Sequence, residues 1–336
     1  MSIATAITAA QGRVADCYTA ISNKGGTLPA TQNLSNMPTA IASIPVGTPN
    51  RFGTSVASYV GVVDSSGKLK MPEEQLNGIT FTGVEDIAED ALYYKFYRNT
   101  HLTGTISFPD LTTISGGTCC YQCFGSTRVT AISFPKLTTI SGSSCCYNMF
   151  NNCTSLTSVS FPELTTVSGN NALNGIFAGC IITSASFPKL ETISSSYGFS
   201  SAFSACTSLT TTDFSALKEI SGSNAMGTCF NSCSELQTIS FNLLETLTGG
   251  QSFRNAFRYC GKLSSISFPS LKTTSFGNVV NQFENMFNSS TASTSGSCTV
   301  HFPSNLQSTI SGLSGYPTFG GNSSRIVLAF DLTATS

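Results

Sequence analysis

The chain has 336 residues, 16 basic and 17 acidic side chains and a net charge of −1, with 40% hydrophobic residues and 13 Cys. A balance this close to neutral, without a basic patch or a run of like charge, speaks against a nucleic-acid partner and against a charged tail. Abundant Ser, Thr and Gly alone would suit disorder, but 24 Phe at a strict spacing call for a packed core.

In chain order, residues 2–22 read as a helix. Ile3, Ile7, Ala10, Val14, Cys17 and Ile21 alternate in steps of four and three, the seam of a coiled coil. A helix this short is marginal alone. It therefore packs on its own body or self-associates through the seam, where β-branched residues suit a dimer or trimer, the trimer being favoured. The first residues have neither a basic start nor an unbroken apolar run, so no secretory signal is expected. No apolar stretch approaches the 18 or so residues of a membrane span, so no membrane insertion is expected. Gly25-Gly26 ends the helix, and Pro38 lies near the second start of a short broken one, closing a helical segment over 1–47. Residues 48–78 read as a linker and a small hairpin, with Asp64 as a turn residue and not a calcium ligand.

From there a phrase repeats. Phe81, Phe108, Phe134, Phe161, Phe187, Phe214, Phe241 and Phe268 follow one another at 26 or 27 residues. A period in this range means coils stacked into a solenoid, with broad surfaces in place of clefts. Leu156, Val159 and Phe161 have the LxxLxL spacing of a leucine-rich-repeat strand. Leu164 and Val167 follow after Pro162 turns the corner, and Gly169 to Phe177 returns as a short helix or helical turn. The fold class is thus a mainly β repeat solenoid of about eight coils over 79–303, with short helical turns and a C-terminal cap over 304–336. In that cap, Ser324 to Phe330 reads as a closing strand.

Cys153, Cys180, Cys206, Cys233 and Cys260 occupy one column of the repeat, each three residues after a Phe, and read as small core hydrophobes. Cys119, Cys120, Cys123, Cys145 and Cys146 are denser, but no His lies near them, and the column spacing does not suit a zinc site. So many buried thiols point to folding in a reducing compartment. The only histidines, His101 and His301, stand in the first and last coils, about 33 Å apart at roughly 4.8 Å per layer. Ser and Cys therefore have no evident base. Asp86, Glu89 and Asp90 read as a solvated cap face. No catalytic, metal or cofactor residue is expected, and no cofactor.

Two sets of surface residues are candidate binding positions. Tyr93, Tyr94 and Tyr97 make the first coil unusually aromatic, and Tyr121 and Tyr147 follow in the variable segments of the next two. Those segments change while their frame repeats, which fits either specificity or drift on an exposed turn. Ser133, Ser160, Ser186, Ser240 and Ser267 form an outward column that reads as a soluble β surface or as a hydroxyl face for glycan or protein.

Phe150, Cys153, Leu156, Val159, Phe161, Pro162, Leu164 and Val167 fill the slots of a motif that resembles the BspA-like leucine-rich repeats of bacterial surface and phage proteins. The resemblance covers about 79–303, with coils three or four residues longer than usual in that family. Ile3 to Ile44, with Asn23-Lys-Gly-Gly-Thr-Leu-Pro-Ala30, resembles the N-terminal attachment region of tail-associated phage and prophage proteins. Together the two resemblances imply a non-enzymatic tail-fibre or baseplate adhesin, assembled in the bacterial cytoplasm and carried on the virion. Its expected partners are a host-surface glycan or protein and, through the N-terminal segment, other tail proteins. The alternative is a bacterial BspA-like scaffold or adhesin without a virion role.

Overall fold

The structure is a computed structural model that describes residues 51–52, 76–272, 276, 281–287, 297–320 and 325–333. The helical segment and its seam (Ile3 to Ile21), the hairpin over 58–71 and most of the Thr291–Ser297 interruption lie outside these residues.

Each coil meets its neighbours through three ladders. In the front ladder the strand of the repeat motif runs parallel to the same strand of the next coil. Ser158–Ser160, Ser184–Ser186 and Thr211–Asp213 pair so, aligning Val159, Ala185 and Thr212. Thr238–Ser240, Ser265–Ser267, Cys298–Pro303 and Ile326–Leu332 form another such group. Counting the three strands that precede them, from Leu76–Thr80 to Arg128–Ser133, ten front strands make nine turns among the described residues, one more than the repeat phrase alone suggests. The extra turn comes from residues after 303, because Ile326–Leu332 joins in parallel register with Cys298–Pro303.

A second ladder is an unbroken sheet of six two-residue strands from Thr113–Ile114 to Thr246–Leu247, with Ile114, Ile140, Val167, Ile193, Ile220 and Leu247 in register. All six point inward and are buried. Alternation explains the choice of residue, since one side chain of each pair meets the core and the other meets water.

The third ladder corrects the expected helical return. Between the glycine and the cysteine of each coil the chain forms consecutive tight turns and no helix. In the coil of residues 144–153, the N–H groups of Ser144, Cys146, Asn148, Phe150 and Asn152 donate to carbonyls of the next coil. Those of Cys145, Tyr147, Met149, Asn151 and Cys153 donate three residues back within their own coil. A helix would consume nearly every N–H internally and leave adjacent coils unbonded. The alternating arrangement satisfies both. It needs a left-handed residue every fourth position, such as Ser144, Asn148 and Asn152 with φ of 52°, 52° and 56°. Asn and Gly tolerate that region best, and Asn171, Gly175 and Gly179 fill it in the next coil.

Phenylalanine columns form the spine. Phe108, Phe134, Phe161, Phe187 and Phe214 stack at centroid spacings of 5.4, 5.3, 5.2 and 5.3 Å. A parallel column under the turn ladder runs through Phe124, Phe150, Phe177, Phe203, Phe230 and Phe257. All of these rings belong to one continuous buried cluster. The cysteine column lies in that core, as its spacing predicts, and also closes the turn ladder. Sγ of Cys153, Cys180, Cys206 and Cys233 donates to the carbonyls of Phe124, Phe150, Phe177 and Phe203, each at 3.1 Å. All twelve cysteines among the described residues are buried free thiols. Titration with Ellman's reagent is therefore expected to find no more than one reactive thiol in the native protein and all 13 in denaturant.

Candidate binding surfaces

The two predicted sets of surface residues lie on different ladders. The tyrosines belong to the turn ladder, where inter-coil hydrogen bonds repeat the backbone at a fixed interval and bring equivalent side chains face to face. Tyr93, Tyr121 and Tyr147 accordingly form one stack, at 5.3 and 4.8 Å. Tyr94 joins it 5.5 Å from Tyr121, and Tyr97 meets Tyr94 edge-on at 5.3 Å. The Arg98 guanidinium lies 5.0 Å from the Tyr97 ring centroid, in cation–π range. Tyr93 and Tyr94 are exposed, and Tyr97, Tyr121 and Tyr147 are half-buried. Burial first, and neighbouring phenols second, raise the Tyr94 and Tyr121 hydroxyls above their ordinary value.

This is a rigid aromatic platform. Tyrosine presents large amphipathic area with little rotamer freedom to lose, and here packing has already fixed the rings. The turn that carries them is itself pinned, because Leu92, Tyr94 and Phe96 each donate an N–H to the next coil at 2.7, 3.0 and 2.9 Å. Tyr94 takes a left-handed φ of 54°, uncommon for a bulky residue. Further along the same ladder, Asn174 and Ser200 replace the stacked tyrosines, so the platform belongs to the first three coils.

Ser133, Ser160, Ser186, Ser240 and Ser267 line the solvent side of the front ladder. Ser160 is exposed and the others are half-buried. Part of their hydrogen-bonding capacity is used within the column. Ser267 Oγ donates to Ser240 Oγ at 2.6 Å, and Ser240 Oγ to Asn242 Oδ1 at 2.5 Å. On the second ladder the threonines are likewise engaged, with Oγ1 of Thr138 and Thr165 donating to carbonyls one coil back at 3.1 Å. Ordered hydroxyls here serve the stack before they serve a ligand.

Charge is cancelled locally. Lys136, Lys189, Lys218 and Lys262 pair with Asp110, Glu163, Glu191 and Glu235 one coil away, at 2.9, 2.7, 3.0 and 2.6 Å. Such exposed pairs add roughly 0.2–1 kcal/mol each. The acids and bases are 26 or 27 residues apart, so the pattern was present in the sequence as scattered charge.

Asp86 departs from the expected solvated cap face. It is 3% exposed, and its carboxylate accepts from Ile87 N–H and Ser115 N–H at 2.9 Å and from Ser115 Oγ at 2.6 Å, joining the first coil to the second. Glu89 and Asp90 remain exposed. Cys119, Cys120, Cys123, Cys145 and Cys146 lie in the core, where burial raises the Cys120 and Cys123 thiols well above their usual value. Among the described residues no three His, Cys, Asp or Glu side chains are grouped to hold a metal ion, and no helix is long and apolar enough to cross a membrane.

A profile described as a BspA type leucine-rich repeat region (6 copies) matches in overlapping stretches, 75–200, 117–242, 175–290 and 226–311. No curated protein matches the chain. Similar solved structures include a leucine-rich repeat protein from Bacteroides ovatus at 16% identity, covering 77% of this chain and 70% of that one with a TM-score of 0.34. The leucine-rich repeat protein of T. pallidum matches at 15% identity over 57% and 69%, with a TM-score of 0.30. The pneumococcal vaccine antigen PcpA matches at 14% over 81% and 71%, with a TM-score of 0.33.

Proposed function

The chain belongs to the BspA-type leucine-rich repeat family, and from that premise we propose that it is a non-enzymatic binding protein whose tyrosine platform contacts a cell surface. The observation that carries this reading is the stacked set of Tyr93, Tyr121 and Tyr147 with Tyr94 and Tyr97 beside it, held on a pinned backbone. Exposed, preorganised aromatic groups with polar tips suit saccharide faces and protein hot spots alike. A near-neutral surface makes contact area, not long-range attraction, the source of affinity.

The more specific role is a tail-fibre or baseplate adhesin of a bacteriophage or prophage, a role suggested by the likeness of residues 3–44 to tail attachment regions. In this reading the segment with Ile3, Ile7, Ala10, Val14, Cys17 and Ile21 at its seam joins copies of the chain, as a trimer, and docks them on other virion proteins. Immunogold labelling of induced tail particles is expected to mark the tail tip. Label confined to the bacterial cell, with unlabelled particles, would favour the scaffold without a virion role. Deleting residues 1–22 is expected to reduce the mass measured by light scattering to that of a folded monomer, and an unchanged mass would remove the tether.

A further inference from the structure

The front ladder opens at one step, and the residues there depart from their columns. Inward positions along this ladder carry Val159, Ala185, Ile239 and Ile266, but Thr212 stands among them. Asp213 likewise interrupts the outward serines. Between Thr211–Asp213 and Thr238–Ser240 the strands are not paired. In flanking coils the Phe N–H donates to the next front strand, as Phe187 does to Asp213 at 2.9 Å and Phe241 to Ser267 at 3.0 Å, and Phe214 makes no such bond. The ring stack widens with it, from 5.3 Å between Phe187 and Phe214 to 6.2 Å between Phe214 and Phe241. The other interruption of this ladder, after Arg128–Ser133, leaves Phe134 and Phe161 at 5.3 Å. Among the described residues, only the step at Thr212 is both unpaired and wider in its ring stack. Meanwhile the second ladder stays paired, Glu219 with Thr246, so the opening is a wedge on one face.

The wedge is a cavity of about 240 Å³ whose lining includes Thr212, Asp213, Phe214, Ser240 and Asn242. Thr212 Oγ1 is buried there and makes no hydrogen bond within the protein. Asp213 accepts from Ser215 N–H through one carboxylate oxygen at 3.0 Å. Asn242 holds Ser240 through its oxygen, which leaves its amide N–H groups to donate outward. We propose that this cleft is a binding site for a neutral polyhydroxylated ligand, one saccharide ring in size. Donors and acceptors are mixed around the mouth, as hydroxyls require, with Asp213 accepting and Asn242 and Phe214 N–H donating. No Lys or Arg lines the cavity, and Asp213 would repel an anion. One carboxylate is too few for a calcium site. A ligand hydroxyl seated in the cleft could satisfy both the buried Thr212 hydroxyl and the unmade ladder bond.

The site is separate from the tyrosine platform, and either can fail without the other. Saturation-transfer NMR of the full chain with D-glucose, D-galactose, D-mannose and N-acetyl-D-glucosamine tests it. At least one sugar is expected to receive saturation, falling at least tenfold in Asp213→Ser and in Thr212→Val and unchanged in Glu163→Gln, whose side chain lies outside both the cleft and the tyrosine platform. Both cleft variants restore residue types that neighbouring coils already carry, so both are expected to fold, which circular dichroism checks. No transfer to any of the four sugars, or transfer undiminished in Asp213→Ser and Thr212→Val, would overturn the proposal.

Discussion

Gly169→Ala is expected to destabilise the protein by about 3 kcal/mol or more, while Gly117→Ala stays within about 0.5 kcal/mol of the parent. A Cβ at Gly169 would lie 2.2 Å from the Gly142 carbonyl oxygen and 2.7 Å from that of Ser141, both backbone atoms of the preceding coil. No side chain can swing aside, so the coils themselves must separate, and with them the ladders on either side. At Gly117 the nearest atom would be 3.7 Å away, an ordinary contact. In a solenoid each coil is stabilised through its neighbours, so a wedge at one interface weakens two units at once. At roughly 2–4 °C per kcal/mol for a chain of this order, the melting temperature of Gly169→Ala should fall by about 6–12 °C. Thermal melts by circular dichroism compare the pair. Equal melting temperatures would show that the coils are not in backbone contact at this column. Ser195, a non-glycine member of the column, is accommodated because Gly198 has no side chain where Ser195 Oγ lies.

Stability is also expected to collapse at alkaline pH. Burial pushes the thiols of Cys206, Cys260 and Cys298 from 9.0 up to about 12, and raises Cys229 and Cys233 as well. The folded state therefore keeps protons that the unfolded chain releases. Their stabilisation is fully present below pH 9 and is lost as pH rises from 9 through about 12. Each such thiol costs about 1.4 kcal/mol by one pH unit above its unfolded value, so a handful outweighs a typical net stability of 5–15 kcal/mol within two or three units. Urea midpoints measured from pH 7 to 11 should be flat to about 8.5 and then fall steeply. Replacing Cys206 and Cys260 with Val should soften the fall. A midpoint unchanged at pH 11 would contradict the burial of these thiols.

Much of this architecture was legible because a solenoid writes its contacts into its period. Phe161 meets Phe187 and Cys180 bonds the Phe150 carbonyl for the same reason, that equivalent positions recur one coil later. What the period could not show was backbone handedness. Gly169 to Phe177 carries apolar residues at spacings that suit a helix, but Asn171, Gly175 and Gly179 mark a four-residue rhythm of left-handed turns. Asp86 was misjudged because a carboxylate next to Glu89 and Asp90 looks solvated until the next coil supplies Ser115 above it. Of the candidate site, the tyrosines stood out by composition, and their stacking follows from the pitch. The wedge at Thr212 was visible only as two small substitutions in otherwise regular columns. That these unpair a ladder depends on geometry that no spacing encodes.

The role of the aromatic platform is tested most directly by binding of the labelled full chain to intact bacterial cells. Two variants are compared with the parent, one with Tyr93, Tyr94, Tyr121 and Tyr147 changed to Ser, the other with Ser133, Ser160 and Ser186 changed to Ala. Cell binding is expected to fall at least tenfold in the first and to stay within twofold in the second. Binding retained without the four tyrosines and lost without the three serines would move the contact surface to the front ladder and contradict the account.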